Sequence, residues 1–507
     1  MHGTVQSLIS AGASGLIVDI ECHLSNSLPA IVIVGSATKA VDESKERLRG
    51  AFASSQLQLP RKRITINLAP ADIPKDDSGF DLGMAAAIIQ ASNSSMPAPG
   101  KTTTFIGELG LDGSVRPVRG IIGKLLAGRS HGVTHFYIPI GNLEQSLLVP
   151  GIKLLPVKSL RSLYDHLTNT DRLQIIETNE GKHAPTINRS SEPASSLSEI
   201  VGQQHAKRAL EIAAAGGHNV LFNGPPGTGK SMLARALPSI MPDLTHEEML
   251  EVTHMHSLVT HAYDTVVTLR PFRSPHHSAS PVSVIGGGHH LRPGEISLSH
   301  RGVLFFDELP EFSRTTLEAL RQPLEDRTIT VARAKDTVEY PANFILIATA
   351  NPCPCGYYGT SKPCTCLPHQ IQHYQQKLSG PIMDRIDIFS NVSDVEHTKL
   401  ITHVASEDED KHTKNRVARA RDRQTKRFGT STHLNSSMTN RQIKQFSNLD
   451  PAAKILLDTA AEKLNISARS YMRTIKVART IADLAGSEAI LPEHLTEALQ
   501  YRQPTLN

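Results

Sequence analysis

The segment "VLFNGPPGTGKSMLARAL" (220–237) constrains the fold of this chain more than any other stretch. A short apolar run leads into a glycine-rich octapeptide, and a helical pattern begins directly after it. This order fits the phosphate-binding loop G-x-x-x-x-G-K-[ST], whose backbone N–H groups close around phosphates at a helix N-terminus. The segment therefore predicts an α/β domain that binds the phosphates of a nucleotide through Gly224, Pro225, Pro226, Gly227, Thr228, Gly229, Lys230 and Ser231. Within this loop, we expect Lys230 to meet the β- and γ-phosphates and Ser231 to hold Mg²⁺.

A second motif, "GVLFFDELPEF" (302–312), agrees with this prediction. Its apolar run is typical of a buried parallel strand and ends in Asp307 and Glu308. Ligands of open α/β sheets bind beyond the carboxyl ends of the strands. We therefore expect Asp307 to complete the Mg²⁺ shell and Glu308 to align or deprotonate the attacking water.

A third apolar run, "FILIATAN" (344–351), ends in a polar residue, Asn351. At the end of a strand, this amide can reach the γ-phosphate or the water between the two previous motifs. Arginines that approach a γ-phosphate accelerate its transfer strongly. The spacing alone does not separate such arginines from ordinary surface or ion-pair residues, and the candidates are Arg385, Arg469, Arg473 and Arg479.

Cysteines are crowded into one segment, "NPCPCGYYGTSKPCTC" (351–366). The chain has 5 cysteines, and two Cys-x-Cys pairs here hold all but one of them. Four thiolates can close a tetrahedral Zn²⁺ site, although the spacing is tighter than the usual Cys-x₂-Cys, so free thiols remain an alternative. We expect a structural zinc held by Cys353, Cys355, Cys364 and Cys366.

Length and composition bound the remaining possibilities. A chain of 507 residues is too long for a single core, which predicts about two to four domains. The absence of tryptophan and the 4% aromatic content argue against broad base-stacking platforms, and the net charge of +4 is compatible with nucleic acid without indicating it. The sequence has neither a signal-peptide pattern nor an apolar run long enough to cross a membrane, so we expect a cytoplasmic protein with no membrane partner.

The chain divides by composition into four segments. The first alternates strand and helix patterns, with strands expected at 31–34, 63–70 and 135–140 and a helix at 40–53. A polar stretch rich in Ser, Pro, Thr and Asn reads as a linker. The predicted boundaries are 1–175 for an N-terminal α+β domain, 176–198 for the linker, 199–395 for the P-loop domain with a Cys-rich insertion at 352–368, and 396–507 for a helical lid.

The ordered motifs resemble AAA+ ATPases of the magnesium-chelatase-like branch, and more closely the bacterial ComM/YifB family. The resemblance covers nearly the whole chain and includes "GPPGTGKSMLARALPSIMP", "FRSPHHSAS", "LRQPLEDRTITVARA", "NPCPCG" and "SGPIMDRIDI". It implies a homo-hexameric ring with ATP and Mg²⁺ at subunit interfaces. It further implies that Asn351 is sensor 1, that Arg385 reaches the ATP of a neighbour, and that Arg469 is sensor 2 with Arg473 as the alternative. In this family, "IVGQ" (200–203) matches the segment that borders adenine, which implies a contact from Val201.

The same resemblance implies a hexameric helicase that drives branch migration during natural transformation. Single-stranded and branched DNA, together with recombination proteins, are then the expected partners. In this branch, a hairpin such as that in "EDRTITVARAKDTVEYPANF" (325–344) can face the central pore, where Arg333 and Lys335 would neutralise phosphates. The basic segment 411–427 fits a DNA contact and the solvated face of a helix equally well. Alternatives for the whole chain are a chelatase-type motor, a protein-remodelling ATPase and an ATP-dependent protease.

The N-terminal segments "PKDDSGFDLGMAAA" (74–87) and "GELGLDGSVRPVRGIIGKLLAGRSHGVTHFYIP" (107–139) resemble the proteolytic domain of Lon-type proteases, a fold like domain 2 of ribosomal protein S5. Such proteases pair a serine nucleophile with a lysine base, and a bare hydroxyl is a weak nucleophile. Lys124 matches the lysine of that family, but Gly79 stands where the serine belongs and Ser78 is one position away. We therefore expect a Lon-like domain that does not cleave peptides and that serves as a collar or interaction platform.

Overall fold

The computed structural model of this chain describes residues 2–11, 14–36, 38–73, 75, 77–93, 100, 102–178, 195–260, 263–288, 291–332, 337–360, 362–377, 382–394 and 407–502. Its internal contacts divide the chain into two compact units. The first comprises Met1–Asn188, Thr245–Thr268 and Ala334–Glu339, and the second comprises Arg189–Leu244, Leu269–Arg333 and Tyr340–Asn507. Every helix among the described residues is too short or too polar to span a lipid bilayer.

The first unit is built on a mixed sheet of eight strands. Its strands are β1 (His2–Ala11), β2 (Ser14–Ser25), β3 (Ala30–Val34), β4 (Arg63–Ala69), β5 (Thr103–Phe105), β8 (His135–Pro139), β9 (Lys153–Val157) and β10 (Ile176–Glu177), and a separate ribbon joins β6 (Glu108–Leu109) to β7 (Val115–Arg116). The spatial order is β10-β9-β8-β5-β1-β2-β4-β3. Side chains alternate along β4, where Ile64, Ile66 and Leu68 are buried and their neighbours are not. This period of two places one face of the sheet against a core.

Helices cover the core of this unit, and they are Lys39–Asp42, Ser44–Ser54, Asp81–Ser92, Ile121–Ser130, Leu143–Ser146, Leu160–Leu167 and His246–Ser257. The helix Asp81–Ser92 has small and apolar side chains on all sides, and 10 of its 12 residues are buried. A helix that is apolar all round belongs inside a protein. The helix Ile121–Ser130 is also largely buried, and its Lys124 lies inside the unit with no exposed surface.

The second unit contains a parallel sheet of five strands. Its strands are β11 (Val220–Asn223), β12 (Phe272–Arg273), β15 (Val303–Phe306), β18 (Ile345–Ala350) and β19 (Ile388–Asn391). They lie in the order β12-β15-β18-β11-β19, and every residue of β15 and β18 is buried. Apolar runs of this kind form strands that are covered on both faces. The carboxyl ends of these parallel strands therefore meet along one edge.

Two further sheets have only two strands each, and the strands of the first run antiparallel. The first joins β13 (Gly286–Gly287) to β14 (Arg292–Pro293), and the second joins β16 (Thr328–Ala332) to β17 (Thr337–Pro341). The helices around the parallel sheet are Gln204–Gly216, Lys230–Ile240, Pro281–Ile285, Glu295–Leu298, Arg314–Ala319, Arg321–Asp326 and Pro368–Lys377. The C-terminal helical region comprises Glu407–Phe428, Asn440–Phe446, Pro451–Lys463, Ala468–Ala485 and Pro492–Gln500.

A buried ionic network holds the C-terminal helices together. The carboxylate of Asp483 has no exposed surface and accepts hydrogen bonds from Arg427, Arg479 and Asn435. Arg479 is itself 1% exposed and also donates to the backbone carbonyls of Ser487 and Glu488. Buried charges are tolerated when they are paired and hydrogen-bonded in this way. Arg479, one of the sequence candidates for a phosphate contact, is therefore occupied inside the fold.

The structure confirms the α/β class with a sheet rich in parallel strands and a C-terminal helical region. The three expected N-terminal strands correspond to β3, β4 and β8. The helix expected at 40–53 is split into Lys39–Asp42 and Ser44–Ser54. Of the expected linker, Ile176–Glu177 pairs with β9, and residues 179–194 lie outside the described residues. The specific likeness of the first unit to Lon stays a prediction.

Candidate functional site

The P-loop lies at the end of β11, the strand between β18 and β19. Gly224 follows the strand, and a side chain there would collide with the backbone carbonyl of Val392. Gly229 has φ +86°, a left-handed conformation that favours glycine, and it immediately precedes the helix Lys230–Ile240. Close packing at the first glycine and backbone freedom at the last therefore explain why the loop has this sequence.

Lys230 is folded back onto the loop. Its ammonium donates hydrogen bonds to the carbonyls of Gly224 and Pro225, the latter at 2.8 Å, and to Oδ1 of Asn351 at 3.0 Å. The residue is 9% exposed. Burial lowers the pKa of Lys230, and the carboxylates of Asp307 and Glu308 oppose that shift. The ammonium of Lys230 is thus hydrogen-bonded to neutral oxygens. Because hydrogen bonds between charged groups are stronger, an anionic ligand would bind to this ammonium more strongly than those oxygens do.

Asp307 joins the P-loop to the neighbouring strands. Its Oδ2 accepts a hydrogen bond from Oγ of Ser231 at 3.1 Å, and its Oδ1 accepts one from Oγ1 of Thr349 at 2.6 Å. The register pairs Phe306 with Ala348, which brings Asp307 level with Thr349. The two residues predicted to hold Mg²⁺ therefore lie in direct contact at the carboxyl edge of the sheet.

Thr349 is a site residue that the sequence reasoning missed. It is fully buried in β18, and besides donating to Asp307 it accepts the backbone N–H of Glu308 at 2.8 Å. Glu308 has φ +54°, which is uncommon for a residue other than glycine. One hydroxyl thus fixes both acidic residues of the motif. A lone hydroxyl residue inside the apolar run "ILIATA" was the available sequence indication.

The arginines form a second cluster. Arg385 makes an ion pair with Glu325, and Arg469 donates to the same carboxylate at 3.0 Å and lies 3.6 Å from Asp384. Hydrogen bonding by Arg385, supported by Arg469, holds the pKa of Glu325 below its usual value. The structure therefore brings Arg385 and Arg469 together around one acidic side chain.

A cavity of about 760 Å³ adjoins this cluster and is rich in cationic side chains. Arg327, Arg473 and Lys476 line it together with the two arginines on Glu325. Arg473 donates to the backbone carbonyls of Met383 and Ile386, so its guanidinium helps to position the short turn that carries Arg385. This contact gives Arg473, the alternative to Arg469 for the sensor 2 role, a structural role in the fold.

The four cysteines of the insertion come together. Their sulfurs all lie within 4.8 Å of one another, and the Sγ–Sγ distances from Cys364 to Cys353 and Cys355 are 3.7 and 3.5 Å. Four sulfurs at about 2.3 Å from a tetrahedral zinc would be about 3.8 Å apart. Backbone N–H groups of Cys355 and Tyr358 point at the sulfurs of Cys366 and Cys353, each at 3.3 Å. The donor set and its spacing are compatible with a structural zinc.

Val201 lies between the turn Leu197–Glu199 and the helix Gln204–Gly216, and it is half-buried. The carboxylate of Asp410 accepts the backbone N–H groups of Leu197 and Ser198, which ties this entry segment to the helix Glu407–Phe428. The segment expected to border adenine is thus anchored to the C-terminal helical region.

Arg333 and Lys335, the expected DNA contacts, lie outside the described residues, whereas the strands on either side of them form the expected hairpin. The basic helix Glu407–Phe428 directs much of its charge inward. Arg416 pairs with Glu211, Arg421 donates to the carbonyl of Ala214, and Arg427 pairs with Asp483. A large part of its positive charge is therefore used for packing within the unit, which favours the lid-helix interpretation of this segment.

In the first unit, the residues that match the Lon dyad are paired with carboxylates. Lys124 makes an ion pair with Asp77, and the hydroxyl of Ser78 donates to Glu108. A Cβ built on Gly79 would lie 3.2 Å from Nζ of Lys124. A side chain at position 79 would thus reach the lysine, but that position is a glycine, while the hydroxyl of the neighbouring Ser78 is engaged by Glu108.

Three family models match this chain. The model described as "Magnesium chelatase, subunit ChlI" matches residues 196–400, and the model described as "Subunit ChlI of Mg-chelatase" matches residues 20–142. The model described as "Magnesium chelatase, subunit ChlI C-terminal" matches residues 407–502. The magnesium-chelatase 38 kDa subunit of Rhodobacter capsulatus is 28% identical over 178 residues, which is 32% of this chain and 51% of that protein.

Several relatives match over almost their full length. Competence protein ComM of Haemophilus influenzae is 40% identical over 499 residues, covering 98% of this chain and 97% of the relative. YifB of Escherichia coli, a protein described as uncharacterized, is 39% identical over 505 residues, covering 98% of this chain and 96% of the relative. The chain therefore belongs to the ComM/YifB family of magnesium-chelatase-like proteins.

Proposed function

We propose that this chain is an ATP-driven motor that moves DNA strands. The observation that carries its ATPase part is the hydrogen-bonded set at the sheet edge, in which Lys230 bonds to Asn351 and Asp307 bonds to both Ser231 and Thr349. A family relationship to magnesium-chelatase subunits supports ATP and Mg²⁺ as the ligands. A cation, a hydroxyl, two carboxylates and an amide at one edge are the groups that phosphoryl transfer needs.

Each residue then has a distinct task. Lys230 binds the β- and γ-phosphates, and it exchanges carbonyl acceptors for charged oxygens when it does so. Ser231 and Asp307 hold the magnesium ion, which supplies charge neutralisation when bound. Glu308 orients the attacking water and accepts its proton, while Asn351 holds the water or the γ-phosphate in place. The loop from Gly224 to Gly229 directs its backbone N–H groups at the phosphates, and Val201 borders the base.

We propose a ring in which ATP binds between subunits, as the relationship to magnesium-chelatase-like proteins suggests. Arg385 and Arg469 share Glu325 and so act as a pair. We assign Arg385 as the finger that reaches the ATP of the adjacent subunit, and Arg469 as sensor 2. A head-to-tail interface of this kind closes into a ring, and a homo-hexamer is the form we propose.

DNA as the substrate is supported by the relative in Haemophilus influenzae, which is named a competence protein. We propose that the motor acts on single-stranded and branched DNA during natural transformation, together with recombination proteins. The hairpin that carries Arg333 and Lys335 is the proposed contact with the DNA backbone. Replacing both residues with alanine should lower the ratio of DNA-stimulated to basal ATP turnover.

Zinc is the proposed occupant of the cysteine cluster, because four sulfurs that lie within 4.8 Å of one another can close a tetrahedral site. Protein purified without chelators should contain about one zinc per subunit. A content below about a quarter of a zinc per subunit would contradict this assignment.

A second candidate function is a chelatase-type or protein-remodelling motor. The descriptions of the matching family models favour it, since they name a magnesium-chelatase subunit. The same ATPase site would serve either motor, so the two functions differ in the substrate that stimulates turnover.

The deciding experiment measures ATP turnover by the full chain without DNA, with single-stranded DNA and with forked DNA. Lys230→Ala is the control for turnover that belongs to this site. Stimulation by DNA that disappears in the control is the expected result. Robust turnover that no DNA stimulates would favour the remodelling or chelatase-type motor. If the wild-type protein turned over no more ATP than Lys230→Ala, the proposed ATPase activity would be refuted.

A further inference from the structure

The cysteine cluster lies against the phosphate-binding loop. Gly356, which directly follows Cys355, approaches Pro226 so closely that a Cβ built on it would lie 2.5 Å from Cδ and 3.2 Å from Cγ of that proline. The cluster begins two residues after Asn351, whose side chain accepts a hydrogen bond from Lys230. The cluster is thus linked to the loop in two ways. Gly356 packs on Pro226, and the cluster follows directly on the strand end that carries Asn351.

The cysteines determine where Gly356 lies. Its N–H donates to the carbonyl of Cys353 at 3.0 Å, and the preceding N–H, that of Cys355, points at the sulfur of Cys366. Gly356 has φ +86°, so the turn needs a glycine for its backbone as well as for the contact with Pro226. A change in how the sulfurs are held would therefore move the residue that packs on the loop.

The loop depends on outside support. Gly227 and Gly229 both have positive φ, and a Cβ built on either would meet nothing within 4 Å, so this side of the loop is open. Glycines are also the residues with the most backbone freedom to lose when a shape is fixed. Close backbone packing holds the loop at Gly224 beside Val392, and the contact between Pro226 and Gly356 holds it from the cluster.

We propose that the metal-loaded cysteine cluster is a positioning element of the nucleotide site, which keeps the P-loop in its binding shape through Gly356 and Pro226. This inference rests on the proposed ATP site and on the proposed zinc. It predicts that nucleotide affinity falls when the cluster loses its metal or when its contact with Pro226 is disturbed. A cluster that only stabilises its own loop would leave nucleotide affinity unchanged.

The test measures equilibrium binding of fluorescent ADP with Mg²⁺ to the full chain, and zinc content on the same samples. Gly356→Ala introduces a Cβ against Pro226, and Gly359→Ala is the matched control. Gly359 lies in the same segment with φ +73°, but a Cβ on it would meet nothing within 4 Å. We expect Gly356→Ala to weaken binding by about tenfold or more, and we expect Gly359→Ala to bind like the wild type.

Two further variants separate contact from general damage. Pro226→Ala removes the ring carbons that the new methyl group would meet, and with them the contact itself, so it should weaken binding on its own. Because both changes act on one contact, the double variant Gly356→Ala/Pro226→Ala should lose less affinity than the two single losses added together. Cys364→Ser/Cys366→Ser should lose zinc and weaken ADP binding together. Losses that are less than additive in the first pair, and joint loss of zinc and affinity in the second, support the proposal.

Wild-type affinity in Gly356→Ala, or in the zinc-free double cysteine variant, would overturn it. So would a wild-type protein that binds ADP without containing zinc. Failure of the wild-type protein to bind ADP at all would refute the proposed function on which the inference rests, and is therefore distinguishable from failure of the inference.

Discussion

Replacing Thr349 with valine tests the hydrogen bonds that organise the acidic motif. The change keeps the shape of a fully buried side chain and removes its hydroxyl. It therefore deletes the 2.6 Å bond to Asp307 and the 2.8 Å bond from the backbone of Glu308, while the contact between Asp307 and Ser231 is retained. The perturbation acts on the positions of two carboxylates without touching either of them.

The expected size follows from these bonds. A hydrogen bond to a charged acceptor contributes about 1.5–3 kcal/mol. Because Glu308 is exposed, water can solvate its released N–H, and the second bond contributes less. If the bond to Asp307 is expressed mainly in the transition state, ATP turnover should fall by about 10- to 100-fold. We also expect a higher Mg²⁺ concentration for half-maximal turnover, since Asp307 is a proposed ligand.

The assay is steady-state ATP turnover at saturating ATP across a range of Mg²⁺ concentrations, with thermal unfolding measured in parallel. Thr349→Ser is the matched control, because it keeps the hydroxyl and loses only a methyl group, at a cost in stability of about 1 kcal/mol. It should retain turnover close to that of the wild type. Wild-type turnover and Mg²⁺ dependence in Thr349→Val, or equal losses in both variants, would refute the assigned role.

Three further outcomes are expected. Mixing inactive Lys230→Ala with inactive Arg385→Ala should restore turnover, because about a quarter of the interfaces in a random ring then pair an intact P-loop with an intact arginine; no recovery would contradict action between subunits. Asp483→Asn should lower the midpoint of thermal unfolding by about 5–10 °C, because buried guanidinium groups lose their counter-charge, whereas Asn at the exposed Asp422 should not. Zinc removal should make 4 of the 5 cysteines reactive toward a thiol label. The fifth, Cys22, should stay unlabelled until the protein unfolds, because burial raises its pKa to about 12.

The site residues that could be predicted from sequence are those that belong to a short motif, in which adjacent residues indicate both the local structure and the role. The P-loop, Asp307 with Glu308, and Asn351 each follow an apolar strand, and a parallel sheet brings such strand ends to one edge. Local sequence patterns therefore predicted both the fold class and the position of these residues at the sheet edge. The cysteines are also close in sequence, which is why their spacing predicted the sulfur cluster.

Other features depend on pairs that are distant along the chain and leave no periodic pattern. Glu325 stands between Arg385 and Arg469, and Gly356 packs on Pro226, although long stretches of sequence separate the partners. The count of basic residues in 411–427 also misleads, because the acceptors that use those charges lie in other helices. Composition reports charge, but only the fold shows how much of it is already paired.

The sharing of Glu325 bears on how a ring of these subunits would work. Arg385 has only 10% of its side chain exposed, and Arg469 has 46%, so the pair differs in how readily each can leave the carboxylate. If both arginines serve the ATP of a neighbour, a phosphate must compete with Glu325 for them. An exposed ion pair is worth little, whereas a desolvated one is costly to break. Arg469 would then turn toward the neighbour at small cost, and Arg385 would do so only when the new partner carries more charge than one carboxylate. A triphosphate meets that condition better than a diphosphate. In such a ring, the interface would respond to the state of the nucleotide, and Glu325 would set the threshold for that response.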